Sequence, residues 1–93
     1  MIYKVTKLTK KWNGHGHFKH VIQPTIWNKL ATKALLSEWR EWCWNTWGPG
    51  RELAWAIEID PNAVWAWDTE YDHRRIYLKT DAELTVFQLK WQK

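Results

Sequence analysis

Cysteine and serine occur once each in this 93-residue chain, proline three times and glycine four times. A single cysteine, Cys43, excludes an internal disulfide and fits a reducing compartment; flanked by Trp42 and Trp44 on a helical run, it reads as a buried, inert thiol. The sole serine, Ser37, lies mid-helix without the glycine-flanked turn that presents a nucleophile. No glycine-rich phosphate loop is evident, since Gly48-Pro49-Gly50 follows a helix, whereas a phosphate cradle precedes one. Long apolar runs are also missing. No stretch approaches the ~20 residues of a membrane span, and MIYKVTKLTK has no signal-peptide core. The chain is therefore expected to be soluble, cytoplasmic and unattached to membranes.

Acid is nearly absent from the first forty residues, where Lys4, Lys7, Lys10, Lys11, Lys19, Lys29, Lys33 and Arg40 face Glu38 alone. Residues 52–72 invert this, with Glu52, Glu58, Asp60, Asp68, Glu70 and Asp72 and neither Lys nor Arg. The net charge of +4 is mild for a dedicated nucleic-acid binder. A basic half and an acidic stretch can instead pair within one chain or between two copies.

Tryptophan is what the chain has in excess. With ten Trp and 45% hydrophobic residues it should fold, as one domain spanning residues 1–93. Each indole can bury about 150–250 Å², and a domain of this size leaves roughly a third of its unfolded-chain surface exposed. Some Trp are thus expected at the surface.

Alternation marks Ile2 to Leu8 as a half-exposed strand with a Lys-rich outer face. Asn13-Gly14 is a type I′ turn signal able to close a hairpin onto Phe18 to Ile22, unless the segment is a basic loop. Pro24, with Thr25 as a cap, opens a helix that Gly48-Pro49-Gly50 ends. At 100° per residue, Trp27, Leu30, Ala31, Ala34, Leu35, Trp39 and Trp42 share its core face, opposite Lys29, Lys33, Ser37 and Arg40. ELAWAIEID alternates as a strand, with VWAWD as its antiparallel partner across Asp60-Pro61-Asn62, and RRIYLK follows as another. Thr80-Asp81-Ala82-Glu83 forms a capping box opening a helix with Ala82, Val86, Phe87, Leu89 and Trp91 toward the core. The expected fold is α+β, two helices on one face of a mainly antiparallel sheet, in the order β-α-β-β-β-α and ferredoxin-like in appearance.

The ending RRIYLKTDAELTVFQLKW, through Tyr77, Leu78, Lys79, Asp81, Ala82, Phe87, Leu89, Lys90 and Trp91, resembles the close of small accessory proteins encoded by large contractile-tailed phages of marine cyanobacteria. The helix ending WCWNTWGPG is similar in character. The resemblance covers about a quarter of the chain; it implies a viral source and an accessory role, and carries over no catalytic residue.

Chemistry-bearing residues are sparse. His15 and His17 point the same way in an extended backbone and His20 can join if the loop bends, but no Cys or carboxylate adjoins them to complete a ligand set, so the bland reading is a solvated basic loop with no metal. Acidic residues at the hairpin and His73 give no acid–base pair beyond ordinary solvation. We therefore expect no enzyme and no cofactor. Two binding readings remain. A protein-interaction module would use Lys29, Lys33, Arg40, Trp44 and Trp47, with Leu36 at its apolar rim, since Trp and Arg anchor binding hot spots and such rims are seldom bare. Its partner would be a second copy, most simply a dimer, or a host or viral protein. A single-stranded DNA or RNA binder would add Lys10, Lys11, Trp12 and Lys19, with basic groups on phosphates and exposed indoles under bases. The first is favoured, because the acidic stretch and modest net charge oppose the second.

Overall fold

The computed structural model describes residues 3–10, 15–25, 28–53, 62–68 and 74–91. Five strands and two helices follow one another as β1 (Tyr3–Lys7), β2 (His20–Pro24), α1 (Lys29–Trp47), β3 (Arg51–Glu52), β4 (Trp65–Asp68), β5 (Arg75–Leu78) and α2 (Asp81–Trp91). The class is α+β. The order carries one strand more than expected, because His20–Pro24 is a full strand pairing β1 from Tyr3↔Pro24 to Lys7↔His20. The sheet runs β1-β2-β5-β4-β3, antiparallel except that β3 lies parallel to β4. This departs from the ferredoxin-like arrangement, since β1 and β2 form an up-and-down pair with no helix between them. Where ELAWAIEID begins, at Glu52, the pairing with VWAWD is parallel, Glu52↔Trp67, rather than the antiparallel one expected. Most of ELAWAIEID, Asn13-Gly14 and Trp27 lie outside the described residues.

Central strands are buried on both faces, so they read as unbroken apolar runs rather than as alternation. Ile22, Trp65, Ile76 and Leu78 point to the helical side, joining Tyr3 beneath Leu36, Trp39 and Cys43 of α1 and Phe87 of α2. Val21, Ala66 and Tyr77 point the other way, where Leu8, Phe18, Leu53 and Ala63 from connecting segments cover them. The sheet is thus sealed by helices on one side and by loops on the other. Two hydrogen bonds extend the ladder into those loops, Leu8 N–H to Lys19 O at 3.0 Å and Lys19 N–H to Leu78 O at 2.9 Å. On the loop side, Asp68 is fully buried, accepting from the Tyr77 hydroxyl at 3.0 Å and pairing with Arg75.

Helix α1 starts later than expected. Pro24 ends β2, and Asn28, not Thr25, is the N-cap, its side chain accepting from Leu30 N–H at 2.8 Å and Ala31 N–H at 3.2 Å. Gly48 ends the helix as expected, at φ 88°, donating to Trp44 O at 2.9 Å. Gly50 follows against the Trp65 indole, leaving no room for a Cβ, and Trp65 Nε1 donates to Gly48 O at 2.8 Å.

Burial along α1 takes hold only at Leu35 and Leu36, so its first turns stand clear of the sheet. Leu30, expected in the core, is 79% exposed, and Ala31 and Ala34 are exposed too. Trp39 and Trp42 do join the core, meeting Phe87 edge-on at 5.4 and 5.8 Å. In α2 the capping box forms, with Thr80 N–H to Glu83 Oε1 at 2.9 Å and Ala82 N–H to Thr80 Oγ1 at 3.2 Å. Its buried stripe is Leu84, Phe87 and Trp91 at i, i+3, i+7. Ala82, Val86 and Leu89 belong to the neighbouring stripe and face outward, correcting their core assignment.

Candidate binding cleft

One helical face and one strand build a cleft of about 350 Å³ lined by Ser37, Arg40, Glu41, Trp44, Asn45, Trp65 and Trp67. The helical residues recur at three- and four-residue spacing and so stack along one side of α1. Trp65 and Trp67 arrive from β4, where alternation turns both toward the helices; their rings sit 5.8 Å apart.

The Arg40 guanidinium lies over the Trp67 ring, 4.2 Å from its centroid. A cation over a ring face is held through its charge and does not spend its N–H donors on that contact. Among the described residues Arg40 has no carboxylate partner. Beside it, Trp44 is 51% exposed. Of the seven described indoles (Trp39, Trp42, Trp44, Trp47, Trp65, Trp67 and Trp91), Trp44 alone makes no ring contact with another described residue. Lys33 and Lys29 are exposed further up the same face, Lys33 about 16 Å from Trp44 at 1.5 Å per residue.

Lys29, Lys33, Arg40 and Trp44 therefore share one face, as expected from their spacing. Two members of the expected rim do not. Trp47 is half-buried edge-on against Trp42 at 5.1 Å, and Leu36 is fully in the core, because α1 lies down on the sheet through its last three turns. Lys10 is exposed on the loop after β1. Lys19 pairs with Asp81 at 3.0 Å, which offsets its charge. Lys11 and Trp12 lie outside the described residues.

The histidines diverge. His17 Nε2 bonds Ala63 O at 2.8 Å, His20 Nε2 meets Asp81 Oδ1 at 2.7 Å, and His15 is exposed. Among the described residues no group of three or more His, Cys, Asp or Glu stands close enough to hold a metal ion. The bonds from His20 and then Lys19 hold the Asp81 carboxyl below the usual aspartate range. Burial pushes the Cys43 thiol well above its ordinary value.

Glu41 and Asn45 escaped the reading of the sequence, although their four-residue spacing places them beside Arg40 and Trp44. Trp67 left no local signal, since only sheet pairing carries it beneath Arg40. No helix among the described residues is long and apolar enough to cross a membrane. No family model, curated protein or solved structure matches the chain.

Proposed function

We propose that this protein works by binding rather than catalysis, as a small accessory module that docks another protein on the outer face of α1. The observation that carries this is the continuous outward stripe of Leu30, Lys33, Ser37, Arg40 and Trp44, in which Leu30 is 79% and Trp44 51% exposed. Leu30 and Trp44 stand at the two ends of this row, about 21 Å apart at 1.5 Å per residue, and Trp beside Arg is the usual composition of a binding hot spot. The partner is a second copy of the chain, forming a dimer, or a host or viral protein. The resemblance carried by residues 74–91 supports a phage source, with the cytoplasm of an infected cell as the working compartment.

Sedimentation equilibrium of the wild type beside Leu30→Ala and Trp44→Ala tests self-association: reversible dimers weakened by both substitutions support it. A partner retained from lysate must survive nuclease and be lost with both variants. A strict monomer that retains nothing by these side chains sinks the proposal.

Single-stranded nucleic acid is a second reading, favoured by one observation: Trp44 is an unstacked indole beside a guanidinium free of carboxylate partners among the described residues.

A further inference from the structure

We propose that the cleft between α1 and β4 is a pocket for a single nucleobase, with guanine preferred. This inference rests on and deepens the nucleic-acid reading; because it uses the same Arg40 and Trp44 as protein docking along α1, the two occupants exclude one another.

The lining meets the three needs of base recognition with separate groups. A base taken from a single strand needs a flat apolar platform, groups that read its edge, and a cation for the adjoining phosphate. Trp44 supplies the platform, as the described indole whose face no other described ring occupies. Trp67 cannot serve on the side covered by Arg40. That arrangement instead fixes the guanidinium and leaves its N–H donors for an anion. Lys33, exposed in line with Ser37 and Arg40, supplies a second cation for a flanking phosphate.

Glu41 decides which base. It lines the cleft one turn from Trp44, beside Asn45 and Ser37. An ionised carboxylate only accepts hydrogen bonds. Guanine offers two adjacent donors on its Watson–Crick edge, N1–H and the N2 amino group, matching both carboxylate oxygens. Adenine sets its N1 lone pair beside one amino group, cytosine does the same with N3, and uracil offers one N–H between two carbonyls. Each would leave one Glu41 oxygen facing an acceptor. The same carboxylate argues against an acidic peptide as occupant. At about 350 Å³ the cleft falls at the small end of ligand sites, room for a base and its sugar rather than a strand.

The test is fluorescence titration of the wild type, Trp44→Ala, Glu41→Gln and Arg40→Ala with the RNA trinucleotides UGU, UAU and UCU and with GMP, at low and moderate salt. Trp44 and Glu41 are exposed, so those variants keep the fold, checked by circular dichroism. The expected result is indole quenching with UGU bound most tightly, and GMP bound detectably. Trp44→Ala should weaken UGU roughly five- to hundredfold, the range that loss of one stacked base implies. Glu41→Gln should bring UGU and UAU to similar affinity, while Arg40→Ala should weaken all three probes alike and lower the salt slope by about one. Equal, salt-sensitive binding of the three trinucleotides that is indifferent to Trp44→Ala overturns the pocket and leaves unspecific nucleic-acid binding standing. No binding of any probe at low salt overturns both.

Discussion

Substituting Gly50 by alanine tests the packing that supports the cleft. A Cβ at Gly50 would stand 2.5, 2.6 and 2.8 Å from three carbons of the Trp65 indole. That indole cannot easily retreat: it is 1% exposed, its Nε1–H is committed to Gly48 O at 2.8 Å, and Trp67 lies alongside at 5.8 Å. Overpacking of this kind costs about 1–3 kcal/mol. Displacing the ring would also break the bond to Gly48, worth about 0.5–1.5 kcal/mol. Together these imply a loss of about 1.5–4.5 kcal/mol, a fall in Tm of roughly 6–36 °C for a domain of this length. Urea denaturation followed by Trp emission and by circular dichroism measures it. Gly48→Ala is the contrasting variant, since nothing lies within 4 Å of its Cβ and only the positive φ of 88° opposes it. In a double-mutant cycle, Trp65→Phe should relieve Gly50→Ala by at least about 1 kcal/mol and leave Gly48→Ala nearly additive. A Gly50→Ala protein within about 0.5 kcal/mol of wild type, or strict additivity with Trp65→Phe, would refute the reasoning.

Other outcomes follow from the same contacts. Tyr77→Phe removes a hydrogen bond to a fully buried carboxylate and should cost about 1.5–3 kcal/mol, read by the shift in denaturation midpoint; unchanged stability would mean that Asp68 does not need that hydroxyl. The Asp81 carboxyl has its pKa lowered in the folded state, chiefly by His20, so its contribution is complete above the ordinary aspartate value of about 3.9 and drains away as pH falls through the depressed one. Asp81→Asn should therefore flatten that acid-side part of the stability curve, read from denaturation midpoints at successive acid pH values. Cys43 is buried with its thiol pKa raised, so a thiol-specific chromogenic disulfide should label it only as fast as the fold opens, accelerating with urea; rapid labelling of the folded protein would contradict its burial.

The parts of the fold that depend on neighbours in sequence were legible before any coordinates. Thr80 and Glu83 satisfy each other and the first turn of α2, and Gly48 stops α1, because caps are built within a few residues of the chain. The turn of Arg40 and Trp44 toward one side of α1 is likewise a matter of helical spacing. Asn28 replaces Thr25 as the cap because the chain stays extended through Pro24 at the end of β2; Phe18 to Ile22 was legible as a candidate hairpin strand, but its extent was not, since a strand buried on both faces carries no alternation.

Tertiary docking decided the rest. Periodicity makes a broad apolar face, but docking on the sheet determined that Trp39 would be sealed while Leu30 stayed in solvent, and that α2 would pack through Leu84, Phe87 and Trp91 with Val86 and Leu89 outside. Trp44 and Trp47 are chemically alike and three residues apart; the proximity of Trp42 half-buries one and leaves the other open. Above all, Trp67 reaches Arg40 from 27 positions along the chain through strand pairing, a contact with no trace in local pattern. Sequence alone determined that this chain has helix caps, two helices with an apolar face and an excess of indole. Which indoles the interior would take, and which one would stand beside an arginine held over a ring at the edge of a cleft, depended on distant segments competing for the same buried volume.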